Sequence, residues 1–294
     1  MAVLRYNIHK KSKFQLDSPN HRNVIKMDNQ TFYPATNDVV FKAVFGSDKK
    51  VLMGFLNQVI GLSIADPEDI TVLNPEIPVD YADLKQSRLD IRAITEGEQV
   101  NLEMQIRDMD YYAERTVVYQ SKMITDDIKQ GDNYGELKKT ISVNILKYNM
   151  FETPDYYSSF LPIEENRHEI LTNKWQIIFF ELNKIGIEKL NEKEQWLRLL
   201  KSGKEEVEML RTSNNEYISG CADRILAVNA DDKLRVQAEL RELARLDHNT
   251  LIVSAEKRGE KKGRAEGKEE RNNELIAKWK AKGMTDEEIK DLLE

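Results

Sequence analysis

Cysteine is almost absent from this chain. Cys221 is the only one in 294 residues, so neither an intrachain disulfide nor a cysteine-built zinc site can form. Histidine is scarce as well: His9, His21, His168 and His248 are scattered without ligand spacing, which argues against a histidine-bound metal. No apolar run approaches the length of a membrane span, and the N-terminus lacks the apolar core of a signal peptide. A cytoplasmic protein with no membrane attachment is therefore expected. An excess of positive charge is missing too. A net charge of −7 and a pI near 5.4 exclude a protein that coats nucleic acid through bulk charge, while leaving room for a local basic groove beside an acidic site.

What is present concentrates in two stretches, Ser87-Arg88-Leu89-Asp90-Ile91-Arg92-Ala93-Ile94 and Gln99-Val100-Asn101-Leu102-Glu103-Met104-Gln105-Ile106. Both alternate polar and apolar residues, the period of a half-buried strand. Thr95-Glu96-Gly97-Glu98 between them reads as a tight turn. With Thr95 facing Glu98, counting outward pairs Ile94 with Gln99, Arg92 with Asn101 and Asp90 with Glu103. Leu89, Ile91 and Ala93 then share a face with Val100, Leu102, Met104 and Ile106; Asp90, Arg92, Asn101, Glu103 and Gln105 share the other. Two carboxylates directly opposed destabilise a sheet. A divalent cation between them reverses the sign, and hard oxygen ligands suit magnesium or manganese. The alternative is a plain sheet face on which Arg88, Arg92 and water satisfy the two charges.

An Asp, a hairpin, then Glu-x-Gln resembles the PD-(D/E)XK nuclease signature with Gln in place of the usual Lys. The surroundings narrow the resemblance. Tyr33-Pro34-Ala35-Thr36-Asn37-Asp38-Val39-Val40-Phe41-Lys42 stands upstream and runs on to Gly46; Leu52 and Phe55-Leu56-Asn57 follow. Beyond the hairpin come Tyr112, Arg115 and Tyr119, then Gly131-Asp132-Asn133-Tyr134. This ordered set, over roughly residues 31–183, resembles the Rpn family of recombination-promoting nucleases, also described as PD-(D/E)XK transposase-like proteins. The resemblance implies an α/β fold: a restriction-endonuclease-like core with a mixed central sheet flanked by helices. It implies a Mg²⁺-dependent endodeoxyribonuclease (Mn²⁺ as the other candidate ion) cutting DNA in recombination or mobile-element biology. Asp90, Glu103 and the Met104 carbonyl would hold the metal. Gln105 sits where lysine is usual; it can orient water but supplies no charge, so the metal or a nearby lysine such as Lys122 must do more. Asp38 matches a helix-borne acidic position of related nucleases, and serves equally well as a helix N-cap. Lys42, one turn on, is expected to pair with Asp38.

Tyr112, Arg115, Tyr119 and Lys122 recur at helical spacing and share a face. Arg115, Tyr119 and Lys122 are candidates for nucleic-acid contact, with Arg115 on phosphate; simple packing of the tyrosines is the competing reading. The sequence also admits a second function class, a nuclease-fold module that binds DNA or a partner without cutting. Its motives are Gln105, the acidic balance and a long helical C-terminal region.

Along the chain, residues 1–30 read as a flexible arm and 31–184 as the nuclease core. Within the core a helical stretch over about 38–60 is broken near Gly46-Ser47-Asp48. Strands follow at Ile70–Glu76, 87–94 and 99–106, a helix at 110–130, and strands at 140–148 and 175–182; Pro154 to Pro162 reads as a loop. Residues 185–255 form a helical extension with Leu197, Leu200, Val207 and Leu210 at helical spacing. Residues 256–294 read as a charged linker with short terminal helices, because Gly259, Gly263 and Gly267 weaken an isolated helix and Gly283 can end one. A homodimer formed through the C-terminal helices is one use of that region.

Overall fold

The computed structural model describes residues 31–73 and 90–285, with Ile289 and Leu292. The expected arm at 1–30, the end of the first expected strand at 74–76, the start of the second at 87–89 and most of the expected terminal helices after 285 lie outside the described residues.

The described chain opens on helix α1 (Asp38–Phe45) and helix α2 (Lys49–Phe55). Each start is set by a side chain that accepts a backbone N–H left free at a helix N-terminus. Asn37 accepts from Val39 and Asp48 from Val51. Asn37, and not Asp38, is thus the cap of α1. A π-turn over Leu56–Ile60 continues α2 until Gly61, at φ 85°, stops it.

Six strands follow among the described residues: β1 (Thr71–Leu73), β2 (Ile91–Ile94), β3 (Glu98–Gln105), β4 (Lys139–Leu146), β5 (Tyr157–Phe160) and β6 (Trp175–Glu181). Their order is β1-β2-β3-β4-β6-β5. The β3–β4 and β4–β6 pairs are parallel and the others antiparallel, giving a mixed sheet. Helix α3 (Tyr112–Asp127) makes the crossover between β3 and β4. The expected loop at 154–162 contains β5. The chain between Pro154 and Pro162 pairs antiparallel with β6, and Tyr157 and Phe160 lie on Phe180 and Phe179 at ring separations of 5.3 and 5.8 Å. Those non-local contacts favour a strand where the local composition signals a turn.

Strand alternation gives the sheet two chemically different faces. Val100, Leu102 and Met104 of β3, Ile141, Val143 and Ile145 of β4, and Ile178 and Phe180 of β6 point into the main core. α1 and α2 cover that face with Phe41, Phe45, Leu52 and Phe55. The helices after residue 185 belong to the same core: α4 (Glu192–Lys201), α5 (Lys204–Leu210) and α6 (Glu216–Ala230) contribute Trp196, Leu200, Val207, Ile218 and Ile225, all fully buried. α2 and α6 approach so closely that a Cβ on Gly54 would lie 2.5 Å from the Cβ and Cγ of Tyr217. Gly54→Ala must push the helices apart and is expected to cost about 1–3 kcal/mol in urea denaturation; a variant as stable as the parent would show that the helices separate freely.

Helix α7 runs unbroken over Asp232–Ala281, 50 residues or roughly 75 Å. The stretch 256–274, read from its glycines as a linker, is helical. The i,i+4 pairs Glu260–Arg264 (2.6 Å) and Lys262–Glu266 (3.4 Å) offset part of the glycine penalty, and the good helix formers around them supply the rest. Gly283, at φ 86°, closes the helix as expected, with the Met284 N–H returning to the Trp279 carbonyl.

Candidate active site

The β2–β3 hairpin has the register that its turn dictates. The Thr95 N–H donates to the Glu98 carbonyl (2.9 Å), Ile94 faces Gln99 and Arg92 faces Asn101. Ile91 faces Leu102, so Asp90, just before β2, meets Glu103. The Asp90 N–H donates to Glu103 Oε1 at 3.3 Å, and the Met104 N–H donates to Asp90 Oδ2 at 3.0 Å. Because N–H and C=O of one strand residue point to the same edge, the Met104 carbonyl faces the Asp90 side, whereas the Gln105 carbonyl faces β4 and accepts from Lys147.

The polar face of this hairpin is not open to water. Gln99, Asn101 and Glu103 are buried, as are Thr140, Ser142 and Asn144 beside them on β4. α3 covers them with Tyr112, Thr116 and Gln120, one residue per turn. The Gln120 amide donates to the Thr140 carbonyl and accepts from Ser142 Oγ (both 2.7 Å). The Tyr112 hydroxyl donates to Asn144 Oδ1 (2.9 Å), and Gln99 Nε2 to Thr140 Oγ1 (2.8 Å). Buried polar groups are tolerated only when paired in this way. Among the described side chains here, Asn101 Oδ1 and Arg92 Nε lack a partner.

Glu103 lies under this layer. Burial, followed by the charge of Asp90, pushes its carboxyl up to about 8, although the Asn101 amide, Arg115 and the Asp90 N–H each pull it down. A buried carboxylate whose charge is unfavourable in the free protein is a group poised to accept a cation. Tyr112 is also raised well above the ordinary phenol range, by burial first and then by Glu103.

Lys42 reaches the site, contrary to its expected pairing with Asp38. Its Nζ lies 3.0 Å from Asp90 Oδ1. Asp38 is instead held by Arg241 of α7, at 2.5 Å. Among the described residues no hydrogen bond or ion pair joins Asp38 to Asp90 or Glu103. Lys122 is exposed on α3 with no such link to the carboxylates, so the ammonium beside them comes from α1. The sequence held a signal for this: Lys42 lies one turn beyond Asp38 on a helix whose apolar face packs against the sheet, but the choice of partner is non-local.

Gln105 turns its amide to the Arg107 carbonyl (2.9 Å). Arg115 sits between Tyr112 and Tyr119, 5.7 and 5.0 Å from their ring centres, and donates from Nε to the Tyr119 hydroxyl. The tyrosines thus fix the guanidinium, which lies close enough to lower the Glu103 carboxyl. Another buried carboxylate, Glu181 at the end of β6, accepts from the Met150 and Phe151 N–H groups and pairs with Lys184 at 2.6 Å. It ties down a loop.

The donor set suits a hard divalent cation. Two carboxylates and a backbone carbonyl converge at one strand end, and magnesium commonly needs only one or two carboxylates because it keeps several waters. No group of three or more His, Cys, Asp or Glu residues that could hold a metal occurs among the described residues; a cation held by this pair would draw the rest of its shell from water or substrate.

No curated protein and no solved structure matches the chain. A family model described as "PD-(D/E)XK nuclease family transposase" matches residues 35–255, about three-quarters of the sequence, including the sheet, the Asp90–Glu103 pair and α4 to α6. The chain belongs to the PD-(D/E)XK nuclease family transposases.

Proposed function

We propose that the protein is a Mg²⁺-dependent DNA endonuclease that acts in recombination or in the movement of mobile elements, with Mn²⁺ as a substitute ion. The observation that carries the reading is the opposition of Asp90 and Glu103, with Glu103 buried and driven toward protonation until a cation compensates it. Asp90, Glu103 and the Met104 carbonyl would hold the metal, which supplies Lewis-acid stabilisation and an acidified water. Lys42 orients Asp90 and adds positive charge, the contribution that Gln105 cannot make. Gln105 positions water through its amide oxygen, its amide nitrogen being turned to the Arg107 carbonyl. Arg115, fixed between two tyrosines, binds a phosphate oxygen of the substrate strand; Tyr119 and Lys122 extend that contact along α3. Asp38 acts indirectly, by docking α1 on α7.

A homodimer formed through α7 is part of this reading, since cutting both strands calls for two sites. Leu240, Leu243, Leu246 and Leu251 are exposed along that helix. No described helix is long and apolar enough to cross a membrane; action on DNA in the cytoplasm belongs to the same reading.

Asp90→Ala is expected to lower cleavage of a labelled DNA duplex by at least about 10³-fold, comparable to removing a transition-state charge stabiliser, with circular dichroism unchanged. Undiminished cutting would remove Asp90 from the mechanism. The second reading, a non-cutting module, is favoured by one observation: the Gln105 amide is already engaged by Arg107. It predicts DNA binding without turnover in any divalent ion.

A further inference from the structure

Past the ends of β3 and β4 the structure holds a concavity. A cavity of about 230 Å³ is lined by Tyr33, Asn37, Ile106, Lys147, Glu242 and Arg245, among others. Ile106 follows Gln105 directly, and the Lys147 N–H is bonded to the Gln105 carbonyl, so the cavity lies at the end of β3 and β4, two residues on from Met104 in the chain. A single water needs only about 10–15 Å³ on the same measure, so the cavity has room for a phosphate group with its ester oxygens.

Its charges are unusual in a chain of net charge −7. Lys147 is exposed and forms no ion pair among the described residues. Arg107 spends one N–H on the Arg245 carbonyl (2.8 Å), a neutral acceptor, and likewise has no ion pair there. Arg245 is gripped by Glu242 through both carboxylate oxygens, from Nε at 2.8 Å and from a terminal nitrogen. Glu242 is thus faced by three cations, Arg245, Lys147 and Arg107, while Glu239 adds a further negative charge near Tyr33. Glu242 is held below the ordinary carboxylate range, through its hydrogen bond with Arg245 first, with Lys147 and Arg107 adding to the effect.

We propose that this pocket binds a backbone phosphate of the substrate DNA strand next to the one being cut. Lys147 makes the contact, Arg107, which donates to the Arg245 carbonyl, adds positive charge beside the pocket, and Glu242 is an internal competitor for the anion. The proposal rests on the nuclease reading and extends it by assigning part of the DNA path to α7. A phosphate entering the pocket meets Lys147 from the end of β4, with Arg107 from the end of β3 held beside it on the Arg245 carbonyl. That fixes the strand's register relative to Asp90 and Glu103 without reading its sequence. The Glu242 carboxylate occupies Arg245 in the free protein; removing its charge leaves a third cation for the phosphate.

The test is fluorescence anisotropy of a labelled DNA duplex with the full-length protein in EDTA, across a salt series. Lys147→Gln is expected to weaken binding about 3- to 10-fold and to reduce the slope of log K against log salt by about 1. Glu242→Gln is expected to tighten binding several-fold. Lys268→Gln, on the exposed far part of α7, controls for net charge and should leave the slope unchanged. Parent-like binding by both pocket variants, or an equal loss in Lys268→Gln, would overturn the pocket while leaving the DNA reading standing. A parent protein that fails to bind DNA would overturn the DNA reading and the pocket with it.

Discussion

Glu103→Gln is expected to abolish DNA cleavage and at the same time to make the protein more stable. The two effects have one cause. Glu103 is buried against Asp90, and its carboxyl in the folded chain is raised from 4.5 to about 8. Between those values the folded state holds a proton that the unfolded state has released. Stability associated with this group is therefore complete below pH 4.5 and is lost as pH rises through 8. Glutamine keeps the acceptor for the Asn101 amide and the Asp90 N–H but cannot ionise. In EDTA the variant should match the parent near pH 4.5 and exceed it by roughly 2–5 kcal/mol at pH 8 and above. Urea denaturation at both pH values checks the sign, and a cleavage assay checks the loss of a charged ligand. A variant less stable than the parent at pH 8 would mean that Glu103 is well solvated or already compensated by Lys42 and Arg115.

Trp196→Ala is expected to be the most destabilising single change in the C-terminal helices, at about 3–5 kcal/mol. Trp196 is completely buried, stands edge-on to Phe55 of α2 at 5.7 Å, and donates from Nε1 to Gln58 at 2.6 Å. Gln58 also accepts from Asn215 just before α6, so the indole joins three segments. Truncation leaves both a cavity and a weakened polar junction. Because α4 to α6 share the core of the sheet, the loss should appear as one cooperative unfolding transition at lower urea. A biphasic curve, with only the C-terminal part melting early, would show that these helices fold as a separate unit.

The hairpin was readable because its signals are local. Thr95 to Glu98 can close only one way, and period-two alternation then pairs Arg92 with Asn101 and brings Asp90 to Glu103. The order of the main strands, the break at Gly46 to Asp48 and the helix end at Gly283 follow from the same kind of local rule. What stayed hidden depends on partners far along the chain. Gln99, Asn101, Ser142 and Asn144 look like solvent-facing positions, yet they are buried because α3 presents Thr116 and Gln120 at matching intervals. Tyr157–Phe160 becomes a strand only beside β6. Lys42 and Asp38, neighbours on one helix, take different distant partners, Asp90 and Arg241. The continuity of α7 through three glycines reflects a sum of small propensities and ion pairs that no single residue announces.

If Asp90 and Glu103 hold a catalytic cation, DNA cleavage must depend on both the metal and Asp90. The most direct measurement is incubation of supercoiled plasmid with parent and Asp90→Ala protein in magnesium, manganese, calcium and EDTA, at low and moderate salt. Nicked or linear product is expected with magnesium or manganese from the parent alone, and none in EDTA. Intact plasmid in every metal from folded parent protein, or equal cutting by Asp90→Ala, would contradict it.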